Sequence, residues 1–83
     1  MKPIINLNGQ SAAEHLRLRR EALDALKAAK DAVSPLLPHG RDYPGDMKQC
    51  DADRDEYAQW RIWLNTIEAQ ILSDALDIQK GEI

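Results

Sequence analysis

Five residues in one short stretch, His39, Gly40, Arg41, Asp42 and Tyr43, stand between Pro38 and Pro44. Arg41 offers a planar fork of donors suited to phosphate or carboxylate, and His39 offers a further donor. Gly40 leaves its backbone amide unobstructed, while Tyr43 supplies an aromatic face and a hydroxyl. The flanking prolines stiffen the stretch and so lower the cost of ordering it around a ligand. Together these residues make a contact set for an anion, a nucleotide among them. A purely structural reading is equally concrete: Gly40 terminates a turn, Tyr43 folds back onto Leu36 and Leu37, and Arg41 pairs with Asp42 or Asp46.

The other candidates for chemistry are weaker. Trp60 and Trp63 could stack on bases, but Trp60 lies on an apolar helical stripe where core packing is its default. Trp63 sits about 60° to the side of that stripe, as an interface or ligand-wall residue, because tryptophan is enriched at binding hot spots. Asp51, Asp53 and Asp55 alternate, yet the glycine and glutamate that an EF-hand loop needs are missing. Helix capping explains these acids better. His15, His39 and Cys50 are scattered, without the paired spacing that holds zinc. No phosphate-binding glycine loop, nucleophile elbow or H-E-x-x-H is present. The chain reads as a binding protein, not an enzyme, with no metal and no cofactor.

The elements that position these residues are helices. Ser11-Ala12-Ala13-Glu14 has capping-box spacing, so a helix starts near residue 12. The stretch to Val33 is rich in Ala, Leu, Lys, Arg and Glu and holds no glycine or proline, which predicts an unbroken helix over about 12–34. Pro35 ends it, or opens one further turn with Ser34. Residues 35–50 form the connecting loop. Asp51, Asp53, Asp55 and Glu56 favour a helix start near 53, and Tyr57, Trp60, Leu64, Ile67, Ile71, Ala75 and Ile78 recur at helical intervals. The second helix therefore spans about 53–79, and Gly81 closes it. Residues 1–10 read as an extended arm, with Ile4, Ile5 and Leu7 too apolar for a free tail. The expected fold is all-α, a single antiparallel two-helix hairpin over residues 1–83.

Each helix carries more apolar surface than a hairpin can cover. On the first, Leu16, Leu23, Leu26, Val33 and Leu37 form one stripe, and Leu18, Ala22, Ala25, Ala29 and Ala32 form a second. Together they span about 200°, twice the arc that one buried face requires. On the second helix Ala58, Ile62, Ala69, Leu72 and Leu76 lie away from the main stripe. The second stripes predict a homo-oligomer, most simply a dimer forming a four-helix bundle. His15 and Arg19, one turn apart, read as a rim contact with packed stems and wet ends.

Composition narrows the partners. With 83 residues the chain buries little of its surface and needs help from association. A single cysteine cannot form an internal disulfide and suits a reducing cytosol. No signal-peptide core and no long apolar run appears, so neither secretion nor a membrane is expected. The net charge of −3 argues against nucleic acid, and Glu14, Glu21 and Asp24 surround the one basic cluster, Arg17, Arg19 and Arg20.

Pro38, His39, Gly40, Arg41, Asp42 and Tyr43 resemble a P-H-G-R-D-Y-Y loop of small helical-hairpin proteins encoded by tailed phages and prophages, with Pro44 in place of the second tyrosine. The Tyr57 to Leu64 segment is similar to a phage anti-quorum-sensing hairpin, and the oligomeric helical form is similar to phage sponges for cyclic-nucleotide signals. The resemblance implies a phage accessory protein that acts in the host cytoplasm by binding. Its first expected function is to counter host defence by sequestering an anionic nucleotide with His39, Gly40, Arg41, Tyr43 and Trp63. The alternative is inhibition of a host regulatory protein, of transcription, quorum sensing or a pilus, and the third is a virion assembly component.

Overall fold

The structure is a computed structural model and describes residues 11–81. The expected N-terminal arm and the Glu82-Ile83 tail lie outside the described residues. Helix α1 spans Ala12–Val33. Ser11 caps it, accepting a hydrogen bond on its Oγ from the Glu14 backbone N–H at 3.1 Å, a bond of the kind worth about 1 kcal/mol. The helix stops one residue short of the expected end, and Ser34–Leu36 tighten into a 3-10 turn that places Pro35 where its missing N–H is harmless.

Helix α2 spans Met47–Gly81, so its expected start at residue 53 is corrected by six residues. Tyr43, Pro44, Gly45 and Asp46 form a turn closed by the Asp46 N–H donating to the Tyr43 carbonyl at 3.0 Å. Pro44 fixes the first central position, and Gly45, at φ 77°, occupies the left-handed second position that a type II turn reserves for glycine. The turn delivers Asp46 as the cap, its Oδ1 accepting from the Gln49 N–H at 3.1 Å. The capping role read for Asp51, Asp53, Asp55 and Glu56 is therefore corrected, because all four lie inside the helix. The connecting loop shortens from 35–50 to the stretch between Leu36 and Met47, and a second 3-10 turn, Gly40–Asp42, lies within it.

The helices pack side by side in a hairpin, with no strand among the described residues. Along α2, Cys50, Asp53, Tyr57, Trp60, Leu64, Ile67, Ile71, Asp74 and Ile78 alternate by three and four residues, the coiled-coil spacing. Leu16, Leu23, Leu26 and Val33 of α1 are half-buried, as are Leu64 and Ile71 of α2. Among the described residues only Cys50 and Ile78 are buried apolar side chains. The radius of gyration is 18.6 Å, against about 12 Å for a compact globule of this length. A rod only two helices wide buries one seam and exposes the rest.

Candidate functional site

Three hydrogen-bonded joints set the geometry of the hairpin. Lys30 reaches across from α1, donating from Nζ to Glu68 Oε1 at 3.0 Å and to Asn65 Oδ1 at 3.3 Å. Arg61 Nη1 donates to the Lys30 carbonyl at 2.9 Å. These contacts bring Lys30 level with residues 61–68 and leave the first three turns of α2 beyond the end of α1. The loop covers those turns. Arg54 Nε donates to the Pro38 carbonyl at 3.0 Å, and the Tyr43 hydroxyl donates to Asp53 Oδ2 at 2.6 Å. Asp53 also accepts from Gln49 Nε2 at 2.7 Å, so this acid anchors the loop instead of capping a helix. Its hydrogen bond stabilises the protonated phenol and, with burial and the carboxylate charge, pushes the Tyr43 hydroxyl up to about 12.

The loop residues read as ligand contacts are thereby divided. Tyr43 is half-buried and its hydroxyl is engaged. His39 and Arg41 are exposed, and the Arg41 side chain makes no hydrogen bond or ion pair to another described residue, Asp42 and Asp46 included. Gly40 opens its 3-10 turn beside the Met47 side chain, where a Cβ would meet the thioether at ordinary contact distance of 3.7 Å. Trp63 lies on the middle of α2, away from the loop, and is 57 % exposed. Trp60, expected in the core, is corrected to a rim position 37 % exposed, because α1 ends before it can close over that ring. Leu37 is likewise exposed instead of extending the α1 stripe.

A cavity of about 240 Å³ lies where the loop meets α2, with Leu36, Pro38, Tyr43, Tyr57 and Trp60 in its walls and the carboxylates of Asp53 and Glu56 at its polar side. Its volume falls below the range of about 300–1,000 Å³ typical of small-molecule sites. Two carboxylates repel an anion and leave room for an apolar or cationic group.

The second apolar stripe of α2, read from the sequence, coincides with a gap in charge that was not read. From Tyr57 to Ser73 the only charged residues are Arg61 and Glu68, and both are spent on Lys30. The same helix, capped by Asp46, carries Lys48, Asp51, Asp53, Arg54, Asp55 and Glu56 near its start and Asp74, Asp77 and Lys80 near its end. Within this charge-poor waist Ile62, Trp63, Ile67 and Leu72 are exposed. Thr66 satisfies its hydroxyl by donating to the Ile62 carbonyl at 2.8 Å, a bond that needs no water. On the back of α2, Ala58, Ile62, Asn65, Ala69, Leu72 and Leu76 repeat the three-and-four spacing of the inner seam, and Ile62, Asn65, Thr66 and Ala69 line a shallow groove there. The signal in the sequence was the gap between charges, not a motif.

Elsewhere, Arg17 bonds both Glu14 and Glu21, so the basic cluster of α1 is locally compensated. The Arg17 bond holds the Glu14 carboxyl below its ordinary range. His15 and Arg19 are half-buried, with Arg19 Nη1 donating to the His15 carbonyl at 3.3 Å. No group of three or more His, Cys, Asp or Glu among the described residues is placed to hold a metal ion. No helix among them is long and apolar enough to cross a membrane. Compared with known proteins, the chain matches no family model, no curated protein and no solved structure.

Proposed function

We propose that this chain acts by occupancy and not by catalysis: a self-associating helical hairpin that masks a protein partner with the back of α2. One observation carries this reading, the waist from Tyr57 to Ser73, whose only charges, Arg61 and Glu68, are committed to Lys30, with its exposed Ile62 and Leu72. An exposed helix face normally carries charge, and apolar side chains at three-and-four spacing are what a facing amphipathic helix recognises. In the phage setting that the loop implies, the partner is a host regulatory protein. The chain used as bait on host lysate recovers one dominant partner, Leu72→Glu bait loses it, and Arg41→Ala bait keeps it. Loss of the partner with Arg41→Ala but not Leu72→Glu contradicts the reading.

Arg41 favours a second reading. It is exposed and unpaired among the described residues, beside exposed His39, and so remains free to meet an anionic nucleotide. A thermal-shift screen of cyclic di- and trinucleotides at about 100 µM separates the two, because a ligand bound only to the native state raises its stability. The masking reading predicts no shift. A shift that Arg41→Ala removes supports the nucleotide reading instead.

A further inference from the structure

We propose that a second copy of this chain covers the face on which Leu18, Ala22 and Ala25 of α1 lie beside Trp60, Trp63 and Ile67 of α2. This rests on the reading that the hairpin self-associates and adds which face does so. The Lys30 joint fixes the two edges of the seam. Lys30, Arg61, Asn65 and Glu68 occupy one edge. At about 100° per residue, Ile67 lies across the inner face of α2 from Glu68, and Ala22 is displaced from the centre of the α1 seam in the same rotational sense as Ile67, which in an antiparallel pair leads to the same edge. Both therefore belong to the opposite edge, with Leu18, Ala25, Trp60 and Trp63 beside them. Leu18, Ala25, Trp60, Trp63 and Ile67 are exposed there, and Ala22 is half-buried.

Three properties of this face fit a copy of itself. No charged residue of α2 between Tyr57 and Ser73 lies on it, since Arg61 and Glu68 are both committed to the other edge. Its side chains are graded: Trp60 and Trp63 stand toward the loop end of the hairpin, and Leu18 and Ala22 stand toward the far end of α1. A two-fold axis across the middle of the hairpin lays the tryptophan end of one copy over the smaller Leu18 and Ala22 of the other, the large-on-small packing that fills a bundle core. Its area is also sufficient. The 22 residues of α1 run about 33 Å, two helices are about 20 Å wide, and the resulting ~650 Å² per copy gives ~1,300 Å² in total, within the range of specific interfaces. The back of α2 stays open in such a dimer for a different partner.

Sedimentation equilibrium of the full chain at about 100 µM tests the assignment, alongside Ala25→Glu, Trp63→Glu and Leu72→Glu. All three positions are exposed in the single hairpin, so none of the substitutions removes a core contact, and circular dichroism checks that helicity is kept. The expected result is twice the 9.4 kDa chain mass for the unaltered protein and for Leu72→Glu, with association weakened about 100-fold or more by Ala25→Glu and Trp63→Glu. A dimer that survives both of those substitutions but not Leu72→Glu overturns the face and leaves self-association standing. A dimer that all three dissociate overturns the single-face assignment. A monomer at this concentration overturns self-association itself.

Discussion

Tyr43 and Cys50 show how this small hairpin holds its loop. Protonated Tyr43 donates to Asp53, and a tyrosine in an unfolded chain titrates near pH 10, so the bond contributes fully below that pH. Its contribution is lost as the pH rises towards about 12, where the folded-state hydroxyl ionises. Urea midpoints of the unaltered chain should therefore exceed those of Tyr43→Phe at pH 8, with the difference shrinking between pH 10 and 12; a constant difference contradicts the bond. Cys50 has no exposed surface, although its sequence neighbours are Gln49 and Asp51. Its thiol should resist a disulfide reagent until the chain unfolds, and Cys50→Ser should cost about 1–3 kcal/mol, because it buries a hydroxyl. Urea titration and thiol counting read both. The candidate contacts His39, Arg41 and Tyr43 were legible in the sequence as residue types, but the commitment of Tyr43 to Asp53 was not. That bond joins residues ten apart and exists only because α2 begins early.

At the scale of elements, the sequence carried the helix pair well and the boundary of α2 poorly. Ser11 and Glu14 gave the start of α1 through a local capping pattern, and the structure places the cap there. The start of α2 was misread because four acids at 51–56 imitate a first turn, while the true signal was the Pro44-Gly45-Asp46 turn. Glycine at φ 77° and an aspartate cap decide the boundary together, and a composition argument sees neither. Asp46→Ala should lower stability by about 1 kcal/mol and Asp51→Ala by much less, as measured by urea unfolding. Comparable losses at the two positions would return the cap to the acidic cluster. The doubled apolar stripes were legible from periodicity alone, and Ala58, Ile62, Ala69, Leu72 and Leu76 are all exposed in the hairpin. Which stripe faces which neighbour was not legible, because it depends on the edge that Lys30 marks.

At the scale of the whole molecule, an elongated hairpin with two buried apolar side chains among its described residues leaves ten large apolar side chains exposed to water. Burial of that surface is worth about 25 cal/mol per Å², so association is the natural route to a stable fold for a chain this small. The charges follow this surface: they crowd the two ends of α2 and leave only Arg61 and Glu68, both engaged by Lys30, in its waist. The most direct test uses the two native tryptophans, Trp60 and Trp63, which are 37 % and 57 % exposed in the single hairpin. Their emission is compared between the unaltered chain and Ala25→Glu at about 100 µM, the concentration of the sedimentation test. Association through the waist predicts distinctly bluer emission from the unaltered chain. Coincident, red-shifted spectra from the two proteins would contradict it.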